Sequence, residues 1–326
     1  MQIVVDSSAL YDDATKLGLG SSAAVTVAAT ALALSADQKL PVIDREEVLA
    51  IALGAHAHAQ GSKRPRRSTG ELVPAPAARP SVPEMSPGRT SASTGPLVQN
   101  AETRATGRAG THPGALPPAA RGSGADIAAA VHGGVIAYMR TDLRVEQVND
   151  DIHRLRSADQ PRIERLPWPS GLVMLPFFTG SPADTATLVA QVESARHENS
   201  VAVEAALAAI AKASRAACQA CASREPEIAA NALMAALVLA AHAVDQLAAA
   251  SAVPLVPPCV IRARTAMSSL SGTAKTTGAG GGDVGIAVIP ATEDVTVARR
   301  LLIEAGCQPL VMKLDQTGVD LQPDAA

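Results

Sequence analysis

The sequence is short of aromatic side chains: one tryptophan, two tyrosines and two phenylalanines make up 2% of its 326 residues. Its core must therefore be built from Ala, Val, Leu and Ile, and recognition of nucleic acid by stacking bases on rings has little to work with. Cysteine is also scarce. Cys218, Cys221, Cys259 and Cys307 make no disulfide framework. Cys218 and Cys221 form a C-x-x-C inside an Ala-rich helical stretch without a second pair, so incidental buried thiols are expected ahead of a metal or redox site. A basic n-region is missing, since the first residues carry Asp6, Asp12 and Asp13. Residues 228–244 are apolar but broken by Asn231 and His242, and shorter than the roughly 20 residues that span a bilayer. A buried helix and a cytoplasmic protein are the expectation. A Walker A loop is absent as well, because the G-x-x-x-x-G-K-[ST] spacing does not occur.

What is present allows a sizeable core, in one large or two small domains: 47% of residues are hydrophobic, 18% are charged and the formal net charge is −3. Strands are expected at 2–5, 135–139, 162–166, 172–178, 284–289 and 310–314. Helices are expected at 21–34, 44–60, 185–223, 228–250 and 295–305. The second starts at Asp44, with Glu46 and Glu47 in its first turn. Strands mixed with helices without regular alternation point to an α+β fold.

Residues 62–120 differ in character. They hold 10 of the 23 prolines, 8 basic residues against 3 acidic ones, and no aromatic. A stretch without helical or strand periodicity cannot bury enough apolar surface to offset its ordering entropy. A disordered insert is expected there. Lys63-Arg64-Pro65-Arg66-Arg67 could meet an anionic partner, but a solvated loop is the favoured reading.

Three glycine-rich segments carry the chemistry. The first is Lys16-Leu17-Gly18-Leu19-Gly20-Ser21-Ser22-Ala23-Ala24, directly before a helical Ala/Val/Thr/Leu run. A loop entering a helix presents unpaired N–H groups and the positive end of the helix dipole, and glycines let a phosphate approach the backbone. An ordinary turn and N-cap is the alternative. The second is Gly122-Ser123-Gly124-Ala125-Asp126, and the third runs from Ala274-Lys275-Thr276-Thr277-Gly278 through Ala279-Gly280-Gly281-Gly282-Asp283. Asp126 can accept a proton from an attacking group, or it can merely cap the helix that follows.

Together, in this order and with Ala55-His56-Ala57-His58-Ala59-Gln60-Gly61, these segments resemble the motifs of the GHMP kinase superfamily, and within it those of phosphomevalonate kinases. The resemblance implies a two-lobed α+β fold. Residues 1–61 and 121–160 would form an incomplete nucleotide-binding lobe, and 161–326 a ferredoxin-like C-terminal lobe. It implies ATP and Mg²⁺ as cofactors, with transfer of the γ-phosphate to 5-phosphomevalonate. Asp126 would be the catalytic residue. Gly18, Leu19, Gly20, Ser21, Ser22 and Ala23 would hold the nucleotide, with Ser22 as the Mg²⁺ ligand. Ser123, Lys275, Thr277, Gly278, Ala279, Gly280 and Gly281 would face the substrate. Lys275 would neutralise its phosphate, unless it is a surface lysine. His132 is expected to be structural.

The chain departs from the family in two places. Thr179-Gly180-Ser181-Pro182-Ala183 stands where the family has W-T-G-x-S-A-S-T, and the opening P-G-K-x-x-L-x-G-E segment is absent. Another small-molecule kinase of the superfamily, such as a mevalonate kinase, and a truncated inactive homologue remain alternatives. Membrane and nucleic acid are not expected as partners.

Overall fold

Three helices pack into one cluster because each carries its apolar residues along one stripe. The computed structural model describes residues 11–12, 15–16, 20–38, 44–61, 122–140 and 161–320. The strand expected at 2–5 and the insert expected at 62–120 lie outside them. Helix α1, Ser21–Gln38, buries Ala23, Val27 and Ala31, spaced four apart on one face. Helix α2, Arg45–Gly61, starts where expected. The Asp44 carboxylate accepts the N–H groups of Glu46 (3.0 Å) and Glu47 (3.2 Å). Helix α3, Ala125–His132, adds Ile127, Ala128 and Val131 to the same cluster, against Val48, Leu49, Ala52 and Leu53 of α2. Before α1, β1 (Tyr11–Asp12) and β2 (Thr15–Lys16) make a short antiparallel pair.

Strand β3, Val135–Met139, runs antiparallel to β4, Arg162–Leu166, in the register Val135↔Leu166 to Met139↔Arg162. Ile136, Tyr138 and Ile163 rest on the helical cluster. The lobe boundary drawn at residue 160 thus falls between two strands that pair along their full length.

The rest is a four-stranded antiparallel sheet in the order β6-β7-β5-β8, from β5 (Leu172–Phe178), β6 (Thr273–Thr276), β7 (Val284–Pro290) and β8 (Gln308–Pro309). Leu175, Phe177, Ala274, Ala287 and Ile289 meet α7 (Pro258–Ser268) and α8 (Val295–Glu304) on one face. Leu172 and Val288 meet α5 (Ser200–Cys221) and α6 (Pro226–Ser251) on the other. Burial on both faces explains why β5 and β7 read as nearly continuous apolar runs. Helix α4, Thr185–Glu198, joins α5 and α6 through Leu188, Val203, Ala206 and Leu247. Helix α6 is long and apolar enough to cross a membrane by length and composition. Here it packs along α5 and buries Ala229, Ala230, Leu233, Ala236 and Leu247.

Three expectations need correction. The helix expected over 185–223 is broken at Asn199, whose backbone leaves the helical region at φ −132°. Its side-chain amide donates to Ala250 O at 3.1 Å, tying the break to the end of α6. Helix α7 was not anticipated. The last strand lies at Gln308–Pro309, not at 310–314. Leu310 N still donates to Pro176 O (2.9 Å), but Pro176 has no N–H to return the bond, so the ladder stops.

Candidate functional site

The N-termini of α1 and α3 converge, and both present the positive end of a helix dipole. Gly20 precedes α1 at φ +73°, and its carbonyl accepts the first helical bond from Ala24 N at 3.0 Å. The first amides of α1, at Ser21, Ser22 and Ala23, are the ones a helix leaves for an outside acceptor. Ser22 is exposed, whereas Ala23 as a whole residue is 1% exposed and belongs to the core. Gly18 and Leu19 lie outside the described residues, as does the side chain of Ser21.

Asp126 stands in the first turn of α3, exposed, with Oδ1 accepting Ile127 N at 3.0 Å. A Cβ built on Gly20 would lie 3.8 Å from the Cβ of Asp126. The glycine loop and the candidate catalytic carboxylate, far apart in sequence, are therefore neighbours. The start of α3 is held closely. Gly124 sits at φ +80°, and a Cβ there would come within 2.5 Å of Leu53 Cδ2. The hydroxyl of exposed Ser123 accepts Ala125 N (3.2 Å), and the Ser123 carbonyl accepts the Tyr138 hydroxyl (2.8 Å). Burial, first of all, raises the pKa of Tyr138; Arg140 opposes this and the Asp126 charge adds to it. Tyr138 escaped the sequence reading, although it is one of two tyrosines in an aromatic-poor chain.

The third glycine segment is held by other elements. The amides of Thr277, Gly280, Gly281 and Asp283 donate to the carbonyls of Val284, Thr277, Leu255 and Ser181. The Thr277 hydroxyl also turns to Val284 O, at 2.5 Å. Ala279 is partly buried against the α4–α6 cluster. Nothing lies within 4 Å of where a Gly278 Cβ would be, so Gly278 is the open point of this loop. Asp283 takes the Thr179 N–H and hydroxyl on its carbonyl, both at 2.9 Å, and Ala183 N on its carboxylate at 3.2 Å. The Thr179-Gly180-Ser181 segment and the glycine loop are thus sewn together, a pairing with no local signal in the sequence.

Lys275 faces the fold. Ala274 on one side of it packs against α7 and α8, so Lys275 lies on the opposite face of β6, and its ammonium donates to Thr276 O at 2.6 Å. Burial above all, and then the Arg264 charge, lowers its pKa. Arg264 is paired with Asp245 and also donates to Ala274 O at 3.0 Å. His132 is 8% exposed, and its Nε2 has no partner. Among the described residues no group of three His, Cys, Asp or Glu is placed to hold a metal ion. Among the described residues, exposed Ser22 and Asp126 bring a hydroxyl and a carboxylate to this end of the two helices, a donor set that fits Mg²⁺, an ion that takes one or two protein ligands beside phosphates and water.

No protein-family model matches the chain. It is 31% identical over 199 residues to the phosphomevalonate kinase of Streptomyces sp. (strain CL190), covering 58% of this chain and 52% of that relative. The chain thus spans about half the length of the curated relative it matches. Among solved structures, a Lin0012 protein from Listeria innocua superposes with a TM-score of 0.65 at 21% identity, over 92% of this chain and 68% of the other. Streptococcus pneumoniae phosphomevalonate kinase, in complex with phosphomevalonate and AMPPNP, superposes with a TM-score of 0.62 at 16% identity, over 92% and 70%. The chain has the α+β fold of these two solved structures.

Proposed function

We propose that this chain carries the transfer site of an ATP-dependent kinase that phosphorylates the phosphate of 5-phosphomevalonate, giving mevalonate 5-diphosphate. The observation that supports the reading is the nearness of Gly20 to Asp126: a helix N-terminus fit for phosphate lies beside the residue whose carboxylate is fit to meet the attacking group. Gly18–Ala23 cradle the nucleotide phosphates with backbone amides and with the hydroxyls of Ser21 and Ser22. Ser22 holds Mg²⁺, which when bound supplies positive charge to the phosphate oxygens. Asp126 orients the acceptor phosphate and takes up its proton as needed. Ser123 and Gly278–Gly281 line the acceptor side, and Lys275 adds a positive charge to it. Catalysis of this kind is mostly positioning and electrostatics.

The test is turnover of the purified chain with ATP–Mg²⁺ and, in turn, mevalonate, 5-phosphomevalonate and homoserine, with the product followed by phosphorus NMR. The reading expects a diphosphate signal with 5-phosphomevalonate alone. Preference for an unphosphorylated acceptor would move the chain to another activity of the superfamily. Nucleotide binding without turnover would make it an inactive homologue.

A further inference from the structure

The direction of the Asp126 carboxylate depends on where α3 begins, and the local support of that start is one turn in which the Ser123 hydroxyl accepts Ala125 N at 3.2 Å. Its N-cap is Gly124, which has no side chain to close the first turn. The rest of what pins the loop comes from elsewhere. Leu53 of α2 presses on Gly124 from one side: a Cβ there would meet Leu53 Cδ2 at 2.5 Å and the Tyr138 hydroxyl at 3.1 Å. The Tyr138 hydroxyl, from the interior of β3, donates to Ser123 O at 2.8 Å. The ring behind it is wedged into the α1–α3 cluster, and β3 is braced by β4 through the pair Tyr138↔Ile163. A phenol is a rigid reach from a strand to a loop, with two side-chain torsions to hold. At neutral pH it is protonated and can donate, and its burial keeps it so.

We propose that Tyr138 is a positioning residue for phosphoryl transfer: by holding the Ser123 carbonyl it sets the start of α3 and keeps Asp126 beside Gly20. The proposal rests on the kinase reading above and adds to it a residue that need not touch substrate. Asp126 is close enough to Tyr138 for its charge to be felt at the phenol.

Tyr138→Phe keeps the ring and its packing and removes the hydroxyl. With 5-phosphomevalonate and ATP–Mg²⁺ as substrates, kcat is expected to fall by roughly 10-fold, as a lost hydrogen bond and a misaimed carboxylate allow. KM for ATP should stay within about twofold, because the α1 amides are untouched. A purely structural role would lower thermal stability without this split. A second measurement does not need activity. The chain has two tyrosines, so subtracting the phenolate absorbance titration of Tyr138→Phe from that of the wild type isolates Tyr138. Asp126→Asn should shift the isolated titration to lower pH. Unchanged kcat in Tyr138→Phe overturns the proposal, and so does a Tyr138 titration indifferent to Asp126→Asn. If the wild type turns over no acceptor while that titration shift is present, it is the kinase reading that has failed, and the catalytic role of Tyr138 falls with it.

Discussion

Gly20 and Asp126 are neighbours, with 3.8 Å between the Cβ of Asp126 and the place where a Gly20 Cβ would sit. Space does not forbid a methyl group there, but the backbone does, since Gly20 is at φ +73°. Gly20→Ala is expected to cost about 1–2 kcal/mol in urea unfolding, the strain of a left-handed conformation on an L residue. Asp126→Asn should leave stability within roughly 0.5 kcal/mol, because the carboxylate is exposed. Its effect belongs in the chemistry, with kcat lowered by roughly 10²–10⁴, the range of a lost general base. Full activity in Asp126→Asn would remove the residue on which the mechanism rests.

Lys275 separates two roles by one substitution. Its ammonium is partly buried, bonded to Thr276 O and near Arg264. Burial holds its folded pKa below the unfolded value, so between the two the unfolded chain binds more protons and stability rises with pH. Lys275→Met should abolish that alkaline rise and leave the neutral-pH unfolding midpoint unchanged or higher. If the lysine also serves the acceptor phosphate, KM for 5-phosphomevalonate rises while kcat holds, since a fixed charge binds ground and transition states alike. Unchanged kinetics would leave Lys275 a member of the fold alone.

His132 should govern part of the acid limb of stability. Burial lowers its pKa most; Glu46 opposes this, and Arg45 and Arg165 reinforce it. The folded chain therefore holds it neutral where the unfolded chain would protonate it. Stability should fall as pH drops through about 6.5, the unfolded value, and level off below the folded pKa. Denaturant titrations across pH 4 to 8 measure this slope. His132→Leu should flatten it, and removing an unpartnered Nε2 should not itself destabilise.

The C-terminal segment is expected to be tied to α3 through Gly318. Val319 N donates to Val131 O at 3.1 Å, Gly134 N to Asp315 O at 2.6 Å, and Arg165 to Gln316 O. A Cβ on Gly318 would lie 2.3 Å from Val131 O. Gly318→Ala should therefore lift the segment, at about 1–3 kcal/mol. Hydrogen exchange should show the Val319 and Gly134 amides losing protection while the amides of β5 and β7 keep theirs. Full protection at Val319 in the variant would contradict the contact.

Much of the fold is legible in local pattern. Ala23, Val27 and Ala31 on one stripe, Asp44 before Glu46 and Glu47, and the apolar runs of β5 and β7 each declare their element from within a few residues. The elements that escaped lack such a mark. Helix α7 opens on consecutive prolines after an irregular stretch, and the break at Asn199 depends on a carbonyl of α6 that no neighbouring residue announces.

The sequence by itself determined the three glycine-rich segments, their order, and the helix starts that two of them feed, because phosphate-ready amides and tight turns follow from local residue type. Tertiary structure decided which of them meet. Asp126 reaches Gly20 because α1, α2 and α3 share one apolar cluster, and Tyr138 reaches Ser123 because β3 lies across it. Lys275 lies on the α6 face of its sheet because β6 pairs with β7 in one register, Lys275↔Ile286. A slip of one residue would have sent it to the other face. These are contacts between distant parts of the chain, settled by packing and strand register, and no local spacing encodes them.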